Sequence, residues 1–518
     1  MPFTQSLHRA VQQRPEALAT ACGTRRQTFR QLHDRVARLA GGLRKLGIRD
    51  GNRVAMLALN SDHYLTYYLA VPWAGAVVTP LNVRWSLAEV IQALRDAESV
   101  AIFLDDRFAA EVESLMEACP FLRFALYCGE GVCPDGLIDL ETLIGASTAI
   151  GDAGLAGDEI FGVFYTGGTT GRPKGAQLTH AALATSALSL MSEGLFATGS
   201  VGLHAAPMFH LADLMMTTGL LLRGGTQVMV PVFRADAVGE PVQAFGVTDL
   251  LLVPAMLQAL VDAPATAGFD FRSVRRLAYG ASPIAEALLE RAMKALPGVD
   301  FYQVYGLTEI AAVGTVLRPE WHRPEQRASG RLRSAGRAAC HVQIRIHDDQ
   351  DRPLPTGQIG EIQIRSPALM IGYLNQPEAT AAALQGGWMR TGDAGYLDEE
   401  GFVFVVDRLK DLIISGGENI YCSEVENALA GHPAVAACAV IGIPDPDMGE
   451  KVHAAVVLKP GASLTLDALT AHCKGLIAGY KCPRSLELRE SLPISAAGKV
   501  LKTELRKPFW EGHHRAVH

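Results

Sequence analysis

The sequence predicts an α/β protein: a large N-terminal domain of α/β layers with mainly parallel sheets, followed by a small C-terminal α+β domain. At 518 residues the chain is too long for one ordinary core, so at least two domains are expected, and an apolar content of 49% supplies material for large cores. In the first third, short apolar runs alternate with amphipathic stretches of helical period, the pattern of a parallel sheet covered on both faces. Past residue 407 the pattern changes, with charges alternating around Leu409 and then a separate helix and pair of strands. The boundary is set at Lys410, giving domains 1–409 and 410–518.

In chain order, Thr28 and Gln31 have capping-box spacing, and Phe29, Leu32, Val36, Leu39, Leu43 and Leu46 recur every three or four residues until Gly47. That spacing predicts one amphipathic helix with a glycine stop. Residues 54–59 read as a buried strand, and after Asn60, Ser61 and Asp62 an apolar helix runs towards Gly75. Ser86 and Glu89 make a second capping box, followed by a strand at 100–104. The run Ile160-Phe161-Gly162-Val163-Phe164 predicts another buried strand, and a helix rich in Ala and Leu follows His180. The C-terminal part offers a helix from Ser423 and strands at 436–442 and 453–458.

Composition narrows the partners. A net charge of −7 and a pI near 6.1, with no strongly basic block, argue against nucleic acid and for a small molecule. The start of the chain lacks the charged, apolar and small-residue regions of a secretory signal, and its apolar runs fall well short of the roughly 20 residues that cross a bilayer. A cytoplasmic protein with no transmembrane segment is expected, and a homodimer is compatible with this composition. The nine cysteines are scattered without paired metal-site spacing, so they read as reduced packing thiols.

Thr166-Gly167-Gly168-Thr169-Thr170-Gly171-Arg172-Pro173-Lys174-Gly175 gathers glycines, hydroxyls and a cation directly after a predicted strand. Glycines let N–H groups converge on one concavity, hydroxyls donate to phosphate oxygens, and Lys174 adds a mobile charge. Taken alone, the stretch reads equally as an ordinary Gly/Thr-rich connection. It is not a Walker loop, because Arg172-Pro173 breaks both the spacing and the helix start.

The loop resembles the phosphate loop of the adenylate-forming superfamily, which includes acyl-CoA synthetases, peptide-synthetase adenylation domains and firefly luciferase. Further stretches resemble that family in order: Pro207-Met208-Phe209-His210, Tyr279-Gly280-Ala281-Ser282-Pro283, Tyr305-Gly306-Leu307-Thr308-Glu309, Arg390-Thr391-Gly392-Asp393, Asp407-Arg408-Leu409-Lys410-Asp411, Ser415-Gly416-Gly417-Glu418-Asn419 and Gly498-Lys499. The resemblance covers nearly the whole chain. It implies ATP, Mg²⁺ and coenzyme A as cofactors and a small-molecule carboxylic acid as substrate. It further implies an adenine-binding turn at Gly280, Ala281 and Ser282, Lys499 bridging the acid and the α-phosphate, and a C-terminal domain that rotates about Lys410. Gly416 and Gly417 would line a thiol tunnel, Lys481 would meet CoA phosphates, and Arg408 would belong to the nucleotide site. One departure is Gly167, where the family usually has Ser; altered nucleotide affinity with retained activity is expected.

The residue types suit that chemistry. Glu309 is a candidate Mg²⁺ ligand, Thr308 a donor to the α-phosphate, Tyr305 an aromatic face for adenine, and Asp393 an acceptor for both ribose hydroxyls. His210 suits a partly apolar site beside two negative reactants, and reads also as a core histidine. The acyl pocket is expected from His210, Ala212, Val253, Gly280, Gly306, Ala311 and Ala312, small and apolar residues that admit a fatty chain or an aromatic ring. An acyl-CoA synthetase is the first reading. An adenylation enzyme serving a carrier protein or another acceptor, a luciferase-like oxygenase, and a non-catalytic nucleotide- or acyl-binding relic are the alternatives.

Overall fold

The computed structural model describes residues 2–166, 173–263, 268–495 and 500–511. Both capping boxes form. Thr28 accepts the Gln31 N–H at the start of Phe29–Lys45, and Ser86 accepts that of Glu89 at the start of Leu87–Ala97. Each cap of this kind contributes about 1 kcal/mol by satisfying N–H groups that the first helical turn leaves without partners.

Two large sheets organise the N-terminal part. In the eight-stranded sheet, Arg53–Leu57 pairs in parallel with Val77–Pro80 and Ala101–Leu104, and Val77–Pro80 with Ile160–Thr166. In the nine-stranded sheet, Leu18–Cys22, Thr226–Met229, Val201–His204, Asp249–Leu252, Arg276–Gly280 and Asp300–Tyr305 form a continuous parallel block. Helix Asp62–Trp73 is buried along its whole length. It shares one core with helices Phe29–Lys45, His180–Ser192 and Leu211–Arg223 and with residues of both sheets, including Val54, Phe161, Met229 and Ala278. The outer faces pack under other helices: Leu87–Ala97 covers the first sheet, and Ala235–Phe245, Pro254–Asp262 and Glu286–Ala295 cover the second. The order is therefore helix, sheet, helix, sheet, helix.

The strand expected over 54–59 ends at Leu57, where the chain turns and the Leu59 N–H donates to the Asp105 carboxylate at 2.7 Å. A third sheet has no counterpart in the sequence reading. Gln343–His347, Gly360–Arg365, Trp388–Leu397, Val403–Arg408 and the short Leu384–Gln385 form an antiparallel five-stranded sheet beside the parallel ones.

The C-terminal strands Ile413–Ser415, Glu418–Ile420, Val435–Asp445, Gly449–Leu458 and Ser485–Leu488 make a separate five-stranded sheet. It packs helices Cys422–Ala430, Leu466–Lys474 and Lys502–Trp510 into cores of its own, which is the smaller α+β unit the sequence predicts. No helix among the described residues is long and apolar enough to cross a membrane. All nine cysteines are free thiols.

Candidate nucleotide and acyl site

The carboxyl ends of adjacent parallel strands are where α/β sheets bind ligands, because the loops diverge there and leave a crevice. Arg276–Gly280 and Asp300–Tyr305 end side by side, with Gly280 in register with Val304. A Cβ on Gly280 would lie 2.0 Å from the Val304 carbonyl oxygen, and one on Gly306 would lie 2.1 Å from that of Ala312. Backbone approach therefore demands glycine at both positions, whatever space a ligand needs. Ala281, Ala311 and Ala312 all adopt left-handed backbone, with φ of 64°, 50° and 70°. Such conformations are costly without glycine and cluster at functional turns. Ser282, next to Ala281, is half-buried.

Asp393 faces this crevice from the antiparallel sheet. It is 3% exposed and sits opposite Arg408 in the strand register. Its Oδ1 lies 2.6 Å from Arg408 Nε, and its Oδ2 accepts the Tyr305 hydroxyl at 2.8 Å. Thr391 fixes the turn, since its Oγ1 accepts the Asp393 N–H at 3.1 Å while donating to the Ile362 carbonyl at 2.6 Å. Burial, together with the Asp393 charge, holds the Tyr305 phenol well above its usual range, so it remains a donor. The charge on Asp393 likewise raises Arg408. A carboxylate offers about four lone-pair directions, and two protein bonds leave room for a pair of neighbouring hydroxyls.

Glu309 lies in the turn Thr308–Ile310 that follows Gly306 and is 7% exposed. Its Oε1 accepts the Tyr373 hydroxyl at 2.7 Å, and its main-chain carbonyl accepts the Met370 N–H at 2.7 Å. Lys174 Nζ stands 5.1 Å from the centre of the Tyr373 ring, a cation–π distance. Thr166 pairs with Lys174 in the strand register, so this strand pair carries the lysine to the ring of Tyr373, whose hydroxyl holds Glu309. Tyr373 was missed in the sequence. Its signal is the segment Met370-Ile371-Gly372-Tyr373, where a Cβ on Gly372 would lie 2.8 Å from the Thr380 methyl group. Gly167, Gly168, Thr169, Thr170 and Gly171 lie outside the described residues, as do Gly498 and Lys499.

His210 is the cap residue of helix Leu211–Arg223, half-buried, with its ring 4.2 Å from that of Phe209. Ala212, two residues on, is half-buried, and Val253 is buried just before Pro254 opens helix Pro254–Asp262. Asp213 is fully buried and turned towards His204, whose Nδ1 lies 2.7 Å from its Oδ2.

The segment 407–411 joins the two parts of the chain. Asp411 is paired with Arg506 of the last helix at 2.6 Å, and Lys410 is half-buried, with burial lowering the pKa of its ammonium. Gly416 and Gly417 form the two-residue turn of a hairpin with φ of 59° and 84°, the geometry that favours paired glycines. Lys481 Nζ lies 2.8 Å from both oxygens of Glu424, so its charge is already matched within the C-terminal unit. Arg84 donates to the Ser495 carbonyl at 2.9 Å, which brings the chain leading to Gly498 and Lys499 against the N-terminal part.

Residues 7–374 fit the model of the family described as AMP-binding enzyme, and residues 424–499 fit that of the AMP-binding enzyme C-terminal domain. The chain is 39% identical over 502 residues to a feruloyl-CoA synthase of an Amycolatopsis species, covering 97% of this chain and 98% of the relative. It is 36% identical over 518 residues to a fatty acid–[acyl-carrier-protein] ligase of Streptomyces coeruleorubidus, covering 99% and 97%. Among solved structures, the o-succinylbenzoate CoA synthetase of Bacillus subtilis, in complex with its acyl-adenylate intermediate, aligns with a TM-score of 0.84 at 30% identity, covering 98% of each chain.

Proposed function

This chain belongs to the AMP-binding enzyme family, and we propose that it is an AMP-forming ligase joining a fatty or aryl carboxylic acid to coenzyme A. The carboxylate attacks the α-phosphorus of ATP and expels pyrophosphate. The CoA thiol then attacks the acyl carbon, displaces AMP and loses its proton, giving the thioester. One observation carries the reading: Asp393, anchored by Arg408 and Tyr305, stands at the strand ends beside the Thr308–Glu309 turn.

In this site Asp393 accepts the ribose hydroxyls, and Tyr305 presents its ring to the adenine while its hydroxyl holds Asp393 in place. Gly280, Ala281 and Ser282 form the turn against the base. Thr308 donates to the α-phosphate, Lys174 faces the outer phosphates, and Lys499 bridges the acid and the α-phosphate as it leaves ATP. Glu309 suits Mg²⁺, which takes one or two carboxylates together with phosphate oxygens rather than a protein cage. When bound, the ion would neutralise charge that builds on the phosphates. His210, Ala212, Val253 and Ala311 line the acyl body.

The two half-reactions need different neighbours, because departing pyrophosphate and incoming thiol cannot share one path. Rotation of the C-terminal unit about Lys410 supplies them in turn, and the contacts on either side of residues 409–410 support that pivot. A panel of fatty and aryl acids assayed for CoA-dependent AMP release tests the function. No turnover of any acid, with ATP binding intact, would contradict it.

A further inference from the structure

The segment that carries His210 leaves the nine-stranded sheet at His204 and enters helix Leu211–Arg223, and its backbone is gripped by a side chain from the other parallel sheet. Asn60 follows strand Arg53–Leu57 and is 5% exposed. Its Nδ2 donates to the carbonyls of His204 at 3.2 Å and Ala206 at 2.8 Å, and its Oδ1 accepts the Met208 N–H at 2.8 Å. Its own N–H donates to the Pro231 carbonyl at 3.3 Å, beyond the neighbouring strand Thr226–Met229. From the following helix, the Tyr68 hydroxyl donates to the Met208 carbonyl at 2.7 Å.

A short amide is the side chain that can do this. It offers two donors and an acceptor in one plane, and here both donors and the acceptor are used on one five-residue stretch of backbone, 204–208. Aspartate has the same shape but no donor, and leucine has neither function. The buried carbonyls of His204 and Ala206 need partners, so part of the role is structural. The grip ends two residues before His210, however, and it fixes the height at which the chain turns into the helix. The buried His204–Asp213 pair ties the strand end to the first turn of that helix in the same sense.

We propose that Asn60 is a positioning residue for the acid: it sets where His210 and the start of the helix stand in the acyl pocket. This rests on the reading of His210 as a pocket residue. A displacement of about 1 Å in such a group costs on the order of a hundredfold in rate, so the loss of two donors is readable in kinetics.

The test is the kinetics of the full-length enzyme carrying Asn60→Asp, His210→Ala or both, with thermal unfolding measured on each. Asn60→Asp keeps the volume and the Met208 bond but sets a carboxylate against two carbonyls. The KM for the acid is expected to rise about tenfold or more with the KM for ATP within about twofold, and the double variant to lose little beyond His210→Ala, as coupled residues do. Equal losses for acid and ATP, or fully additive losses, would overturn the proposal. A rise with His210→Ala and none with Asn60→Asp would overturn it while leaving the pocket reading intact; no change with His210→Ala would remove both. If Asn60→Asp does not fold, Tyr68→Phe releases one bond to the same segment and must raise the KM for the acid; an unmoved KM there also overturns it.

Discussion

Arg506 Nη1 lies 2.6 Å from Asp411 Oδ1, and the two side chains are only 9% and 13% exposed. The pair ties the last helix, which begins three residues after Lys499, to the residue that follows Lys410. On the other side of the junction, Arg408 is bonded to Asp393 of the N-terminal part at 2.6 Å. Residues 409 and 410 are what lies between the two anchors. Other contacts join the two sides: Asp407 Oδ2 accepts the Cys422 N–H at 2.5 Å, the Ser423 hydroxyl donates to the Val406 carbonyl, Gln258 donates to the Ala436 carbonyl at 3.3 Å, and Arg84 donates to that of Ser495 at 2.9 Å. The proposed rotation would have to break these, while the Arg506–Asp411 pair would travel with the C-terminal unit.

Stiffening the interval should separate the half-reactions. Lys410→Pro fixes φ and is expected to slow thioester formation from supplied acyl-adenylate by tenfold or more while adenylation continues, as read by rapid quench. Unaffected CoA transfer would remove the rotation.

Breaking the anchor should cost stability. Asp411→Asn leaves Arg506 facing a neutral group, at a cost of about 3 kcal/mol in urea unfolding. Burial raises the Asp411 carboxyl, but attraction to Arg506 and Lys502 outweighs it and holds the group below 3.8. A carboxyl lowered on folding stabilises fully above its unfolded value, so the contribution should persist from neutral pH down to about 4 and be lost below that as the carboxyl protonates. A stability difference between the native chain and Asp411→Asn that does not shrink in this acid range would contradict the assignment.

The nucleotide end should report through Asp393. Asp393→Asn keeps the size but loses the charge matched to Arg408, and kcat/KM for ATP is expected to fall about a hundredfold. Tyr305→Phe keeps the ring and removes only the hydroxyl, so its loss should stay near tenfold. Reversal of that order would displace Asp393 from the ribose.

Tyr373 donates to Glu309, the proposed Mg²⁺ ligand, at 2.7 Å, and orienting partners of a metal ligand commonly carry about 10- to 100-fold in metal affinity. Tyr373→Phe should therefore raise the Mg²⁺ concentration for half-maximal adenylation about tenfold, with the KM for the acid little changed. An unchanged Mg²⁺ requirement would separate Glu309 from the metal.

The sequence made the periodic and local features legible. Both capping boxes, the helix from Phe29 and the parallel strands follow from spacing within a few residues. The antiparallel sheet was not legible, because strands such as Gly360–Arg365 mix polar and apolar residues and pair across long connections. The same reason hides the supporting residues. Tyr373 meets Glu309 across 64 positions, Arg506 meets Asp411 across 95, and Asn60 meets Met208 across 148, so none has a local pattern. The glycines at 280, 306, 416 and 417 were visible as glycines, but the backbone contacts and turn geometry that require them were not.

The central claim is a covalent acyl-adenylate that CoA then consumes, and single-turnover quench of the full-length enzyme with ATP, Mg²⁺ and a turned-over acid tests it most directly. The account predicts that acyl-AMP and pyrophosphate form together without CoA, that added CoA converts the acyl-AMP to acyl-CoA and AMP, and that Lys499→Ala abolishes the first step while largely sparing the second. Release of ADP in place of AMP, or thioester formation with no acyl-AMP preceding it, would contradict the account.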